Sequence, residues 1–223
     1  WQDSVPCMFI SGQVKQRETI YNSNIPGLRQ FGPQEANIIP IVQSITKYAV
    51  MINEPEKIRY YLEKALFIAK SGRPGPVWLD IPLDVQGALV KSEHLIGFDP
   101  NSEKISSIKR PSSVHLNEVL HLLQLCRKPV ILAGHGIRLA KANDIFLKMI
   151  AKLKIPVVSS NMIVDLMDYN DPYYLGVVGM KGHRAANIAI QNCDLLISIG
   201  CRLSVQLIGF EYEKFSPNSK KIV

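Results

Sequence analysis

The sequence predicts an α/β protein built on parallel sheets. Three observations carry that reading. Short, continuous apolar runs recur along the chain, such as Val77-Trp78-Leu79 and Pro129-Val130-Ile131-Leu132-Ala133, the kind shown by strands buried on both faces. Amphipathic stretches with apolar residues at helical spacing lie between them. Strand and helix alternate, and right-handed βαβ crossovers turn such alternation into a parallel sheet covered by helices. The alternation occurs twice, so two parallel-sheet α/β segments are expected, at 1–90 and 114–223, with a linker at 91–113.

The first segment opens on a strand over Val5 to Ile10. A loop rich in Gly, Asn and Pro follows, from Gly12 to Pro33. A helix is expected from Pro33, with Ile38, Ile41, Val42 and Ile45 on one face and a kink at Pro40. Tyr48 to Ile52 reads as a strand. The strongest helical pattern begins at Pro55, with Glu54 and Glu56 at its positive end, Ile58, Leu62, Ala65, Leu66 and Ala69 on one stripe, and Gly72 past its end. Val77 to Pro82 is a buried strand stopped by its proline.

Residues 91–113 are rich in Ser, Lys and Pro and lack a period. Beyond them, helices are expected at His115 to Leu125, Ala140 to Leu153 and Gly182 to Gln191. Strands are expected at Pro129 to Ala133, Ile155 to Ser159 and Asp194 to Ile199, at Rossmann-like intervals. Lys220 to Val223 reads as the start of another strand. With no helix before the first strand, and Trp1 in place of an initiator Met, the sequence is expected to be a piece of a longer polypeptide.

The 223 residues are 47% hydrophobic and 20% charged, which excludes disordered and collagen-like classes. No apolar run approaches the roughly 20 residues needed to span a bilayer, and no leader is visible, so a cytoplasmic protein without a membrane partner is expected. The net charge is +7, and residues 111–223 hold 13 basic against 8 acidic groups. Those cations stand singly on helical faces or in turns, without interleaved aromatics, so no nucleic-acid partner is expected and an anionic small molecule fits better. Cys7, Cys126, Cys193 and Cys201 form no CxxC pair and read as reduced core thiols; no metal site is expected within the chain.

Four loops stand out. In Ser71-Gly72-Arg73-Pro74-Gly75-Pro76, Arg73 is either a clamp for a phosphate or carboxylate, or a solvated side chain. Gly134-His135-Gly136 follows a strand, and its glycines either admit a pyrophosphate or serve a tight turn; Leu139 breaks the full dinucleotide fingerprint. Val178-Gly179-Met180-Lys181-Gly182 leads into a helix, and Gly200-Cys201-Arg202 follows a strand. In an open α/β sheet, such loops at the carboxyl ends of strands line the ligand crevice.

Taken in order, Phe31-Gly32-Pro33-Gln34-Glu35, Ile45-Thr46-Lys47, Ser71 to Pro76 and Asp80-Ile81-Pro82-Leu83-Asp84-Val85 resemble acetolactate synthase and its thiamine diphosphate-dependent relatives. The resemblance implies that 1–90 is the later part of the pyrimidine-binding domain and 114–223 a Rossmann-like (DHS-like) central domain, incomplete at its end. It implies decarboxylation of a 2-keto acid such as pyruvate and transfer of the two-carbon unit to an acceptor, by a homodimer or homotetramer at full length, the fragment alone being inactive. Gln34 matches a glutamine near the reacting intermediate. Arg73 and the Gly134-His135-Gly136 turn match FAD-contacting positions. Ser160, Asn161 and Met162 match another FAD-lining segment, Val178 to Gly182 match Leu-Gly-Met-His-Gly, and Arg202 matches the arginine of Gly-Ala-Arg-Phe.

There are departures. Leu83 replaces an active-site lysine, Lys181 a histidine, and Ser204-Val205-Gln206 an Asp-Asp-Arg run beside the flavin. The glutamate that activates thiamine diphosphate, and the motif for Mg²⁺ and the diphosphate, match nothing here and are expected in segments outside this chain. FAD or an ADP-containing nucleotide is the expected ligand of the central domain. Two alternatives stay open: a flavin-free decarboxylase or carboligase paralogue, and a non-catalytic module binding FAD, ADP or CoA. A nicotinamide dehydrogenase is disfavoured, because no acidic ribose ligand follows the glycine turn at the expected distance.

Overall fold

The computed structural model describes residues 1–103 and 110–223. The chain divides into two compact units, Trp1–Lys109 and Arg110–Val223. Both sheets are wholly parallel, so the expected α/β class is what the chain adopts.

The first unit runs β1 (Met8–Gln13), α1 (Ile38–Val42), β2 (Tyr48–Met51), α2 (Ile58–Lys70), β3 (Val77–Pro82) and α3 (Leu83–Gln86). Its sheet has the order β1-β3-β2. Central β3 turns Val77 and Leu79 onto Ala65 and Ala69 of α2, and both strand residues are fully buried. Each such burial is worth about 1.5–3 kcal/mol. Asp80, 1% exposed, accepts hydrogen bonds from Ser11 Oγ at 2.7 Å and Gln13 Nε2 at 3.0 Å, while Trp78 Nε1 donates to Ser11 Oγ at 2.8 Å. A buried carboxylate with such partners is satisfied without a cation.

That network explains one difference from expectation. The first strand occupies 8–13 rather than 5–10, because Pro6 offers no amide and the polar half of the strand, Ser11 to Gln13, pairs with β3 around Asp80. The helix expected from Pro33 begins only at Ile38. Glu35 instead turns its carboxylate back on the amides of Ile20 at 2.6 Å and Phe31 at 2.8 Å, and Pro40 falls in the first helical turn without kinking anything. Pro55 opens a 3₁₀ turn that precedes α2, and Leu66, expected on its buried stripe, is 48% exposed.

Lys47 closes the far end of α2. Its ammonium donates to the carbonyls of Ile68 and Ser71, the latter at 2.5 Å, although burial pulls its pKa down. Gly72 follows with φ +54°, the left-handed position a glycine tolerates. Within the stretch read as a linker, Phe98 packs on Tyr60 and Phe67, Glu63 accepts from its amide at 2.8 Å, and Glu103 pairs with Lys64. Residues 104–109 of that stretch lie outside the described residues.

The second unit runs α4 (Ser113–Leu125), β4 (Pro129–Ala133), α5 (Gly136–Leu139), α6 (Asn143–Leu153), β5 (Val157–Ser159), β6 (Tyr174–Val177), α7 (Arg184–Asn192), β7 (Leu195–Ile199), α8 (Val205–Ile208) and β8 (Lys220–Ile222). The sheet order is β6-β5-β4-β7-β8. Alternate residues of its strands feed two cores, Ile131, Ala133, Val157, Leu195 and Ile197 against Phe146 and Ile150 of α6, and Val130, Leu132, Val158 and Leu196 against Ala186 and Ile190 of α7. Helices therefore cover both faces, as a doubly wound sheet requires.

The helix expected over 140–153 starts at Asn143, separated from the short α5 before it by Lys141 at φ +54°; that expected from Gly182 starts at Arg184. Strand β6 has no counterpart in the expectations. It is four residues long, contains a glycine, and pairs with β5 through a register irregularity, so neither length nor period advertised it. All four cysteines are free.

At the amino end of the second sheet, Asp194 accepts from the amides of Arg127 at 2.7 Å and Lys128 at 2.9 Å. Its own amide donates to Lys128, and its carbonyl accepts from Lys220, so one residue ties β4, β7 and β8 together.

Two outcomes follow. Lys47→Met should lower stability to denaturant by about 1–3 kcal/mol, the cost of two lost hydrogen bonds to the end of α2, with the fold otherwise kept. The Arg127 amide, chiefly, holds the Asp194 carboxyl below the ordinary carboxylate range. A lowered folded-state pKa gives stability that is present above the unfolded value and lost as pH falls through the folded one. Asp194→Asn should therefore lower the melting temperature at neutral pH and flatten its decline in acid.

Candidate functional site

In the second unit, every predicted site residue falls on one edge of the sheet, the carboxyl ends of β4, β5, β6 and β7. Strand order reverses between β4 and β7, which is where doubly wound sheets open a ligand crevice.

The floor of that edge is a backbone contact. The Gly134 amide donates to Ile199 O at 2.9 Å and the Gly136 amide to Gly200 O at 2.8 Å. A Cβ on Gly134 would lie 2.3 Å from Gly200 O and Cys201 Cα; one on Gly136 would lie 2.7 Å from Gly200 Cα. These glycines are required by the approach of two loops, and two of the turn's amides are already engaged. Burial pushes the Cys201 thiol up, which leaves it an inert packing group.

The β5 loop joins this floor. The Ser160 amide donates to Ala133 O at 2.9 Å, and His135 Nδ1 lies 3.1 Å from Met162 O. Arg138 and Asp165 pair at 2.8 Å, and Arg138 holds the Asp165 carboxyl below its ordinary range. Asn161 and Met162 are exposed.

The β6 loop folds back on itself. The Val178 amide donates to Ser159 O, Met180 to Gln206 O and Gly182 to Gly179 O, while Asn187 grips Gly179 through both its amide and its carbonyl, at 2.9 and 3.0 Å. Gly179 has φ +117°, and a Cβ there would meet Gln206 O at 2.8 Å. Met180 and Lys181 stand exposed at the tip, with Arg184 and Arg202 exposed on the neighbouring segments. Sequence reading took His183 for a solvated residue near a helix start and missed Asn187 and Asp194. Their roles are hydrogen bonds to backbone, for which only an Asn or His beside a helix start gives any signal.

With so many loop amides engaged, an anion at this edge would be met by side chains, chiefly Lys181, Arg184 and Arg202, with Asn161. That donor set fits the phosphates of an ADP-type nucleotide, although it is not an amide cradle. Among the described residues no group of three or more His, Cys, Asp or Glu is placed to hold a metal ion, and no helix is long and apolar enough to cross a membrane.

The two predicted residues of the first unit lie at opposite ends of its sheet. Gln34 is exposed on the loop that Glu35 holds, and Gln13 Nε2 on β1 donates to Ala36 O at 2.6 Å, which places this loop at the carboxyl end. Leu83 is exposed at the same end, after β3. Arg73 precedes β3, at the amino end, where its Nε donates to Ser4 Oγ at 2.7 Å and a terminal nitrogen lies 3.4 Å from Gln2 O.

A five-stranded parallel sheet with helices on both faces, and strand order reversing between β4 and β7, defines a Rossmann-like α/β domain. Residues 116–223 match the thiamine pyrophosphate enzyme central domain. Over 98% of its length the chain is 31% identical to the acetolactate synthase large subunit of Buchnera aphidicola subsp. Schlechtendalia chinensis, covering 36% of that protein. It is 33% identical, over 100% of its length, to the probable acetolactate synthase large subunit of Methanocaldococcus jannaschii, and 34% identical, over 93%, to the acetolactate synthase large subunit of Lactococcus lactis subsp. lactis; it covers 36% and 34% of these. Residues 116–223 thus belong to the thiamine pyrophosphate enzyme central-domain family, and the chain along its length is acetolactate synthase-like. It spans little more than a third of the length of these curated relatives.

Gly134→Ala should be among the most destabilising single changes in the second unit, about 3 kcal/mol or more by denaturant titration, since only backbone stands within reach of the new methyl. A Gly209→Ala control, where nothing lies within 4 Å of the new methyl, should cost less, only the strain of φ +85°.

Proposed function

We propose that the protein is a thiamine diphosphate- and Mg²⁺-dependent, acetolactate synthase-like enzyme that decarboxylates a 2-keto acid such as pyruvate and transfers the two-carbon unit to an acceptor. The single observation that carries this is similarity to acetolactate synthase large subunits running through both units of the chain. On this reading, 1–90 is the later part of a pyrimidine-binding domain and 114–223 a central domain. Diphosphate and Mg²⁺ are held by segments outside this chain.

Thiamine diphosphate, when bound, supplies the electron sink that lets a 2-keto acid lose carbon dioxide. The chain's own residues orient and shelter. Gln34, on a loop fixed by Glu35 and Gln13, offers an amide to the reacting groups. Lys181, Arg184 and Arg202 hold the anionic part of FAD or an ADP-containing nucleotide, with Asn161 beside them. Arg73 is pre-oriented by Ser4 for a carboxylate or phosphate. The assembly is a homodimer or homotetramer in the cytoplasm.

The full-length protein, given thiamine diphosphate and Mg²⁺, should release carbon dioxide from a panel of 2-keto acids, and silence across the panel would sink the proposal. Gln34→Ala should lower kcat by about tenfold to a hundredfold, the scale on which lost positioning acts. Flavin absorbance on the purified protein separates FAD from an ADP-type ligand.

A further inference from the structure

His183 does something that its place at a helix start does not announce. Strand β6 is an edge strand, and the amide and carbonyl of its last residue, Val177, are both taken up by one residue. The His183 amide donates to Val177 O at 2.7 Å, and the Val177 amide donates to His183 Nδ1 at 2.9 Å. His183 thus pairs with Val177 as a neighbouring strand residue would, with its ring supplying the acceptor. Because a backbone amide can only donate, Nδ1 must carry a lone pair and the ring's one proton sits on Nε2.

The surrounding sequence makes room for this. Gly176 takes φ +97°, and a Cβ there would come 2.5 Å from His183 Nδ1. A Cβ on Gly182 would come 2.5 Å from Val177 O, on the other bond of the pair. Tyr169 lies against the ring, centroids 6.2 Å apart. Between the two bonded residues runs Val178 to Gly182, whose tip carries Met180 and Lys181.

We propose that His183, as its Nε2–H tautomer, is a positioning residue. By closing residues 177 to 183 into a loop, it sets where Lys181 stands when an ADP-containing nucleotide is bound. The nucleotide half of this rests on the reading of the carboxyl edge as a nucleotide cleft; the clamp itself does not.

The test uses the 223-residue chain with ¹⁵N-labelled histidine, in mildly alkaline buffer. A long-range imidazole correlation spectrum should show His183 protonated at Nε2 and bare at Nδ1, and the Val177 amide should be protected from hydrogen exchange. His183→Leu should remove that protection and weaken binding of FAD or ADP about tenfold, one hydrogen bond's worth. His183→Asn, whose side-chain oxygen can accept in place of Nδ1, should restore both. An Nδ1–H tautomer in the unaltered chain overturns the proposal, and that reading needs no variant to fold. So does unchanged Val177 exchange in His183→Leu. If the unaltered chain binds neither FAD nor ADP while tautomer and exchange come out as expected, the cleft reading and the nucleotide half fail together and the clamp stands.

Discussion

The second unit depends on one constraint, the approach of the Gly134–Gly136 turn to Gly200 at a distance no side chain permits. Two backbone hydrogen bonds cross that contact and extend the pairing of β4 with β7 beyond the strands themselves. With the central pair locked at its carboxyl end by glycines and at its amino end by Asp194, the helices have a fixed surface on which to pack. Leu132 and Leu196 on one face, and Ile131 and Leu195 on the other, are almost wholly buried as a result. The same constraint decides the chemistry of the edge. Amides used to join loops are not available to a ligand, so recognition passes to the side chains that rise from the loops' rims.

Much of this was legible because it is periodic or compositional. Alternating apolar runs and amphipathic stretches gave the α/β class, and Val77–Pro82 and Pro129–Ala133 fell where the runs lie. The glycine loops pointed to the carboxyl edge without showing what the glycines serve, since a residue lacking a side chain reads alike whether a phosphate or a neighbouring backbone comes close. Features set by single tertiary hydrogen bonds were not legible. Glu35 holding 31–36 out of a helix, Ser11 and Gln13 drawing β1 towards Asp80, and His183 pairing with Val177 each depend on a partner distant or unobvious in sequence. Local propensity cannot register such a partner.

Charge divides between work inside the unit and work at its rim. The basic surplus of the second half is partly spent internally, as with Arg138 on Asp165 and Lys221 on Ser216 O. Lys181 and Arg184, on the β6–α7 connection, and Arg202, after β7, are exposed at the carboxyl edge of the sheet. Exposed cations contribute little to stability. Holding an anion at the edge where strand order reverses is the role proposed for them.

The two units hold their loops by different means, and the difference follows from burial. In the first, a buried carboxylate organises the carboxyl end. Asp80 fixes Gln13, whose amide nitrogen also donates to Ala36 O, and Glu35 holds the amides on either side of the loop. A buried carboxylate left with one partner fewer costs more than an exposed one, so a change at Ser11 or Gln13 reaches the Gln34 loop through Asp80. In the second unit the loops at the carboxyl edge are held largely backbone to backbone, and the β6 loop is pinned by the side chains of Asn187 and His183. A substitution there changes the shape of one loop and leaves the sheet intact. The Gln34 loop is therefore coupled to its unit's core, whereas positions on the rims of the second unit's loops, unlike the glycines beneath them, can vary singly, as Lys181 and Ser204-Val205-Gln206 already do relative to the family pattern.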